Sequence, residues 1–75
     1  MENVFYMFPE GMPANMAARA YMEAEGRTDS TRHYLMLKYE IEQSREVFIP
    51  RWMAEKLMRQ HGGAIYEMPA AGAVT

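Results

Sequence analysis

The chain opens on an apolar and aromatic run, Val4-Phe5-Tyr6-Met7-Phe8, with Pro9-Glu10-Gly11 directly behind it. Aromatic and β-branched residues favour an extended, half-buried backbone and Pro-Glu-Gly turns the chain, so a short strand is predicted over residues 3–8. From Pro13 the period changes. Ala14 to Glu25 are strong helix formers, Met16, Ala17, Ala20, Tyr21 and Ala24 recur at i, i+3 and i+4 spacing, and Gly26 supplies a C-terminal cap. A first helix is expected over about 13–25, with Pro13 in its first turn.

Thr28 can cap the free amides of a second helix, and Asp29 beside it suits the positive end of the helix dipole. That helix is expected over about 28–45. At about 100° per residue, Tyr34, Leu37 and Ile41 form one apolar stripe and Leu35, Met36 and Tyr39 form a second on a different side. A helix with two apolar faces has to be covered twice, so Tyr34, Leu37 and Ile41 are assigned to the core of a dimer. A third helix, about 50–61, starts at Pro50 and stops at Gly62-Gly63. Its core face holds Met53, Ala54, Leu57, Met58 and His61, while Trp52 lies almost opposite, among Arg51, Glu55, Lys56 and Arg59. Ala64 to Met68 can form a second short strand paired with residues 3–8. The expected fold is mainly α: three helices with a short N-terminal strand and a short C-terminal one, in one domain over 1–69 followed by a disordered tail at 70–75.

Composition sharpens this picture in three ways. A chain of 75 residues without cysteine buries only about 60% of its unfolded surface as a monomer. It has neither disulfides nor thiolate metal sites to compensate, so self-association is the expected remedy and a reducing compartment such as the cytoplasm is the expected location. The formal net charge of −2 disfavours non-specific attraction to phosphate, so nucleic acid is not the expected partner. No stretch approaches the ~20 apolar residues that span a bilayer, and neither secretion nor membrane insertion is expected. Nine methionines fit irregular gaps in a small core, with a second use on an adaptable binding surface.

Chemistry is sparse. His33 and His61 are the two histidines, and no acid is marked to orient either as a base. No pair of ligands stands at zinc spacing, no acidic loop at calcium spacing, and no glycine-rich loop resembles a phosphate cradle. Neither an enzyme nor a cofactor or metal site is expected.

Two features remain. The order strand, helix, Gly26-Arg27-Thr28-Asp29-Ser30, helix resembles, over residues 3–44, the ribbon-helix-helix family of dimeric DNA-binding regulators, whose strand pairs across the dimer. The resemblance implies a transcriptional regulator, but Val4 to Phe8 offer no polar side chains to base edges. The other feature is the group Arg51, Trp52, Lys56 and Arg59 together with Tyr39, residue types that dominate binding energy at interface centres. Trp52 has a second option, folding over the N-terminal strand as core, and Tyr39 has one in completing the dimer. The segments Val4-Phe5-Tyr6-Met7-Phe8-Pro9 and Tyr34-Leu35-Met36-Leu37-Lys38-Tyr39-Glu40 give the chain a likeness to small phage-encoded host-takeover inhibitors of the quorum-sensing anti-activator type. That resemblance implies a small helical dimer acting on a host transcription regulator. The expected function is thus a non-enzymatic homodimeric protein that binds and inhibits another protein, with a basic DNA-binding domain as a suitable partner.

Overall fold

The computed structural model describes residues 2–67, in which strand β1 (Asn3–Met7) is followed by helices α1 (Ala14–Glu25) and α2 (Thr31–Ser44), strand β2 (Glu46–Pro50), helix α3 (Arg51–His61) and strand β3 (Ala64–Tyr66). The three strands form one antiparallel sheet in the order β2-β1-β3. The fold is therefore mixed α/β, with three helices and a small sheet, and the mainly α expectation is corrected by β2. The expected pairing of the two terminal strands is present, with Phe5 opposite Tyr66 and Tyr6 opposite Ile65.

Because side chains alternate across a strand, β1 sends Val4 and Tyr6 to one face of the sheet and Phe5 and Met7 to the other. Val4 is opposite Ile49 and Tyr6 opposite Val47. This inner face, continued by Phe8, packs under α3, which reaches all three strands and buries Met53, Ala54 and Leu57 against them. Each fully buried Val, Leu or Ile side chain contributes about 1.5–3 kcal/mol. Tyr6 and Phe8 meet edge to face at 4.9 Å, and the Tyr6 hydroxyl donates to Gly62 O at 2.6 Å, so the one polar tip on this face is satisfied. No polar or charged residue is buried among the described residues.

Helix α1 lies between α2 and α3. Ala17, Ala18, Ala20 and Ala24 are all buried, and their small side chains let the two neighbours approach closely. Met16, assigned to this face by spacing, is 53% exposed, Tyr21 is half-buried, and Met22 is buried in their place. Gly26, at φ 82°, ends α1 with its amide on Glu23 O and the Arg27 amide on Met22 O, the paired bonds of a left-handed glycine cap.

Several expectations shift by a turn or a face. Ser30, not Thr28, caps α2 by accepting from the His33 amide, and Thr31 is its first residue. Pro13 and Pro50 stand just before α1 and α3 in extended conformation. Met58 and His61 are exposed instead of core. Leu37 and Ile41, assigned to a dimer core, are already buried within one chain, and Tyr34 is half-buried with the Arg19 guanidinium 5.6 Å from its ring. The second stripe of α2 stays open. The tail at 70–75 lies outside the described residues.

Strand β2 is the element that periodicity missed. α2 ends on Arg45, a non-glycine residue at φ 66°, and the chain enters β2 at once. A left-handed backbone costs an ordinary residue roughly 1–2 kcal/mol. Here it is offset by three bonds: the Arg45 amide to Ile41 O, the Phe8 amide to Arg45 O, and Arg45 Nη2 to Pro9 O at 2.9 Å.

The turn after α3 carries a sharper constraint. Gly63 has φ 91°, and a Cβ there would collide with Met7 O and lie 2.8 Å from the Tyr6 hydroxyl. Gly63→Ala is expected to lower stability by about 2–4 kcal/mol, from backbone strain plus displacement of β1. Urea unfolding checks this through a fall in midpoint at unchanged slope, and an unshifted midpoint would mean that the turn relaxes freely.

Candidate protein-binding surface

The outer face of the sheet is where apolar groups accumulate without cover. Alternation that buries Val4, Tyr6 and Ile49 necessarily turns Phe5 and Phe48 outward, and the register sets Phe5 between Phe48 on β2 and Tyr66 on β3. The rings touch in a row. Phe5 and Phe48 have centroids 4.8 Å apart at 43°, and Phe5 stacks on Tyr66 at 5.8 Å and 22°. Phe48 is 49% exposed and Tyr66 37%. The Tyr66 hydroxyl donates to Glu46 Oε2 at 2.7 Å, a bond that crosses β1 from one flanking strand to the other and fixes the row's edge. This bond to a carboxylate is the main reason the Tyr66 hydroxyl titrates above the usual tyrosine range.

From Phe5 and Phe48 the surface runs into a groove of about 590 Å³ between the sheet and α2, closed by Val47, Leu37, Tyr39 and Tyr21. Glu40 and Glu46 are its charged lining residues. Burial, reinforced by the nearby Glu25 and Glu40 carboxylates, raises the Tyr21 hydroxyl above its ordinary value. The groove is lined mainly by apolar and aromatic side chains, with two carboxylates among them. Such a site suits an apolar or aromatic anchor carried by a basic segment.

The residues singled out by sequence fall in three places. Tyr39 lines this groove with most of its side chain exposed. Trp52 is half exposed on the first turn of α3, and Arg59 is exposed and Lys56 half-buried on the same helix. No contact joins α2 to α3, so Tyr39 and Trp52 stand on helices that do not touch. The Arg51 guanidinium bonds Glu2 at 3.1 and 3.2 Å and also bonds Glu67, fastening the start of β1 to the end of β3. The aromatic row was not among the sequence candidates. Its signal was the alternation Glu46-Val47-Phe48-Ile49, which reads as a strand only once α2 is known to stop at Ser44.

Elsewhere the chemistry is structural. His33 Nε2 lies 2.7 Å from Glu25 Oε1, so the acid that spacing did not mark comes from the end of α1 and closes the α1–α2 hairpin. No group of three or more metal-binding side chains is found among the described residues, and none of their helices is long and apolar enough to cross a membrane. Compared with protein-family models, curated proteins and solved structures, the chain matches none. The surface must be read from its own geometry.

The Arg51 clamp has a definite pH signature. The bonds from Arg51, and then its charge, hold the Glu2 carboxyl below the usual glutamate range. A depressed folded-state value means that the clamp contributes stability above the ordinary glutamate value and loses it as pH falls through the lower one. Wild-type protein is expected to exceed Arg51→Ala in urea midpoint at neutral pH, with the gap closing below about pH 4. A gap that persists unchanged into acid would assign the difference to packing of the Arg51 stem.

Proposed function

We propose that this chain is a small non-enzymatic interaction protein, acting as a homodimer, that binds another protein and inhibits it by covering a functional surface. The observation that supports this is the open aromatic row Phe48-Phe5-Tyr66 running into a groove lined by Tyr39, Glu40 and Glu46. Exposed aromatic side chains of this kind are strong binding anchors when a partner buries them. The carboxylates Glu40 and Glu46 at the groove favour a basic partner, of which a DNA-binding domain is the clearest class. A host-directed inhibitor of the quorum-sensing anti-activator kind is the sharpest form of this reading, and it rests on the resemblance of the helix 2 and N-terminal segments alone.

The alternative, a ribbon-helix-helix DNA binder, needs β1 to pair across a dimer and to present polar groups to bases. Both edges of β1 are hydrogen-bonded within the chain, to β2 and to β3, which weighs against it. Purified protein is expected not to retard duplex DNA at moderate salt. Retardation that weakens steeply with added salt would favour the alternative.

The direct test is affinity capture from a lysate with wild-type protein, Phe48→Ala and Trp52→Ala side by side, folding being checked by urea midpoint. Phe48→Ala is expected to weaken the captured complex about 30-fold, the equivalent of an anchor of about 2 kcal/mol, with Trp52→Ala having a smaller effect. The reverse order would move the binding surface to α3.

A further inference from the structure

Resting on the dimeric reading above, we infer that the second copy docks on the outer stripe of α2, antiparallel to the first and related to it by a two-fold axis near residue 37. Three of the most exposed large apolar residues, Leu35, Met36 and Tyr39 at 55, 56 and 64%, fall within five consecutive positions of this helix. Arg32, Leu35/Met36, Tyr39 and Gln43 follow the alternating three- and four-residue steps of a helix–helix seam. The opposite stripe, Leu37 and Ile41, is already covered by the chain's own core. Only one face of α2 remains to be covered.

Charge decides what covers it. The N-terminal end of the stripe carries Arg32, and the C-terminal end is flanked by Glu40 on one side and on the other by Glu42, which also pairs with Lys38 at 3.8 Å; both ends are exposed. This has the same sense as the helix dipole, positive at the N-terminus. A parallel copy sets like charge against like at both ends. An antiparallel copy centred near residue 37 sets Leu35 opposite Tyr39 of the second copy and Arg32 opposite Glu42 of the second copy, twice over by symmetry, as a self-complementary two-fold interface requires. The 14-residue helix is about 21 Å long, too short by itself for the ~800 Å² per partner of a standard interface, so the dimer is expected to form in the micromolar range. The aromatic row on the sheet stays outside this contact, while Tyr39 and Gln43 border both the contact and the groove.

Sedimentation of the full chain from about 1 to 200 μM tests it. Wild-type protein is expected to pass from 8.7 kDa to twice that mass across the range, and Leu35→Glu with Met36→Glu to raise the dissociation constant at least about tenfold. Arg32→Glu alone and Glu42→Arg alone are each expected to raise it about fivefold, and the two together to restore it to within about twofold, because only the antiparallel arrangement brings those positions together. Both single changes place charges that suit the helix dipole, so the helix itself is not put at risk. A dimer unmoved by the Leu35 and Met36 changes overturns the surface and leaves the dimeric reading standing. Loss on the single charge changes without recovery in the pair overturns the antiparallel arrangement. A monomer throughout overturns surface and dimer together, while the capture comparison at Phe48 reports separately on the binding of another protein.

Discussion

A five-residue strand with aromatic or long apolar side chains on both faces has to be paired on both edges and covered on both sides, and in this chain only part of that requirement is met from within. β1 gives its edges to β2 and β3 and its inner face, Val4 and Tyr6, to α3. The Tyr6 hydroxyl then reaches Gly62 O, tying the centre of the sheet to the end of the helix above it. The tight turn at Gly63 follows from that bond, since no side chain fits between Met7 and the chain returning to β3. What β1 cannot bury, Phe5, becomes the middle of the exposed row.

The same incompleteness recurs in α2. Its inner stripe closes onto α1 and the sheet, and its outer stripe is left to solvent. A chain this small has too few elements to sandwich both a sheet and a helix hairpin, so one face of each remains open. The groove between them is where the two open faces meet, and Tyr39 borders both. What the fold has no material to cover is left as exposed apolar surface.

Much of this architecture could be read from the residues. The period change at Pro13, the glycine cap at Gly26 and the Gly62-Gly63 pair set three helices within a turn of their observed ends, and the wheel of α3 correctly turned Trp52 outward. β2 could not be read in the same way. A helix ordinarily announces its end with glycine or proline, and α2 ends on Arg45, whose left-handed conformation depends on bonds to Pro9 and Phe8 more than thirty positions away. Without β2 there is no register for Phe48, and the pairing of Phe5 with Tyr66 across β1 and β3 lacks its third ring. The ion pairs of Arg51 were hidden for a similar reason: its partners Glu2 and Glu67 are remote in sequence and adjacent only in the folded chain.

That clamp also determines how the fold would respond to force. Because β1 and β3 run antiparallel with Phe5 opposite Tyr66, residues 2 and 67 emerge at the same end of the sheet. Tension applied between them would load the β1–β3 rungs one after another, as in opening a zipper, and not all at once in shear. Arg51 bridges the mouth of that fork, through its guanidinium on Glu2 and Glu67 and its amide on Glu2 O, so this one residue takes the load before the β1–β3 rungs do.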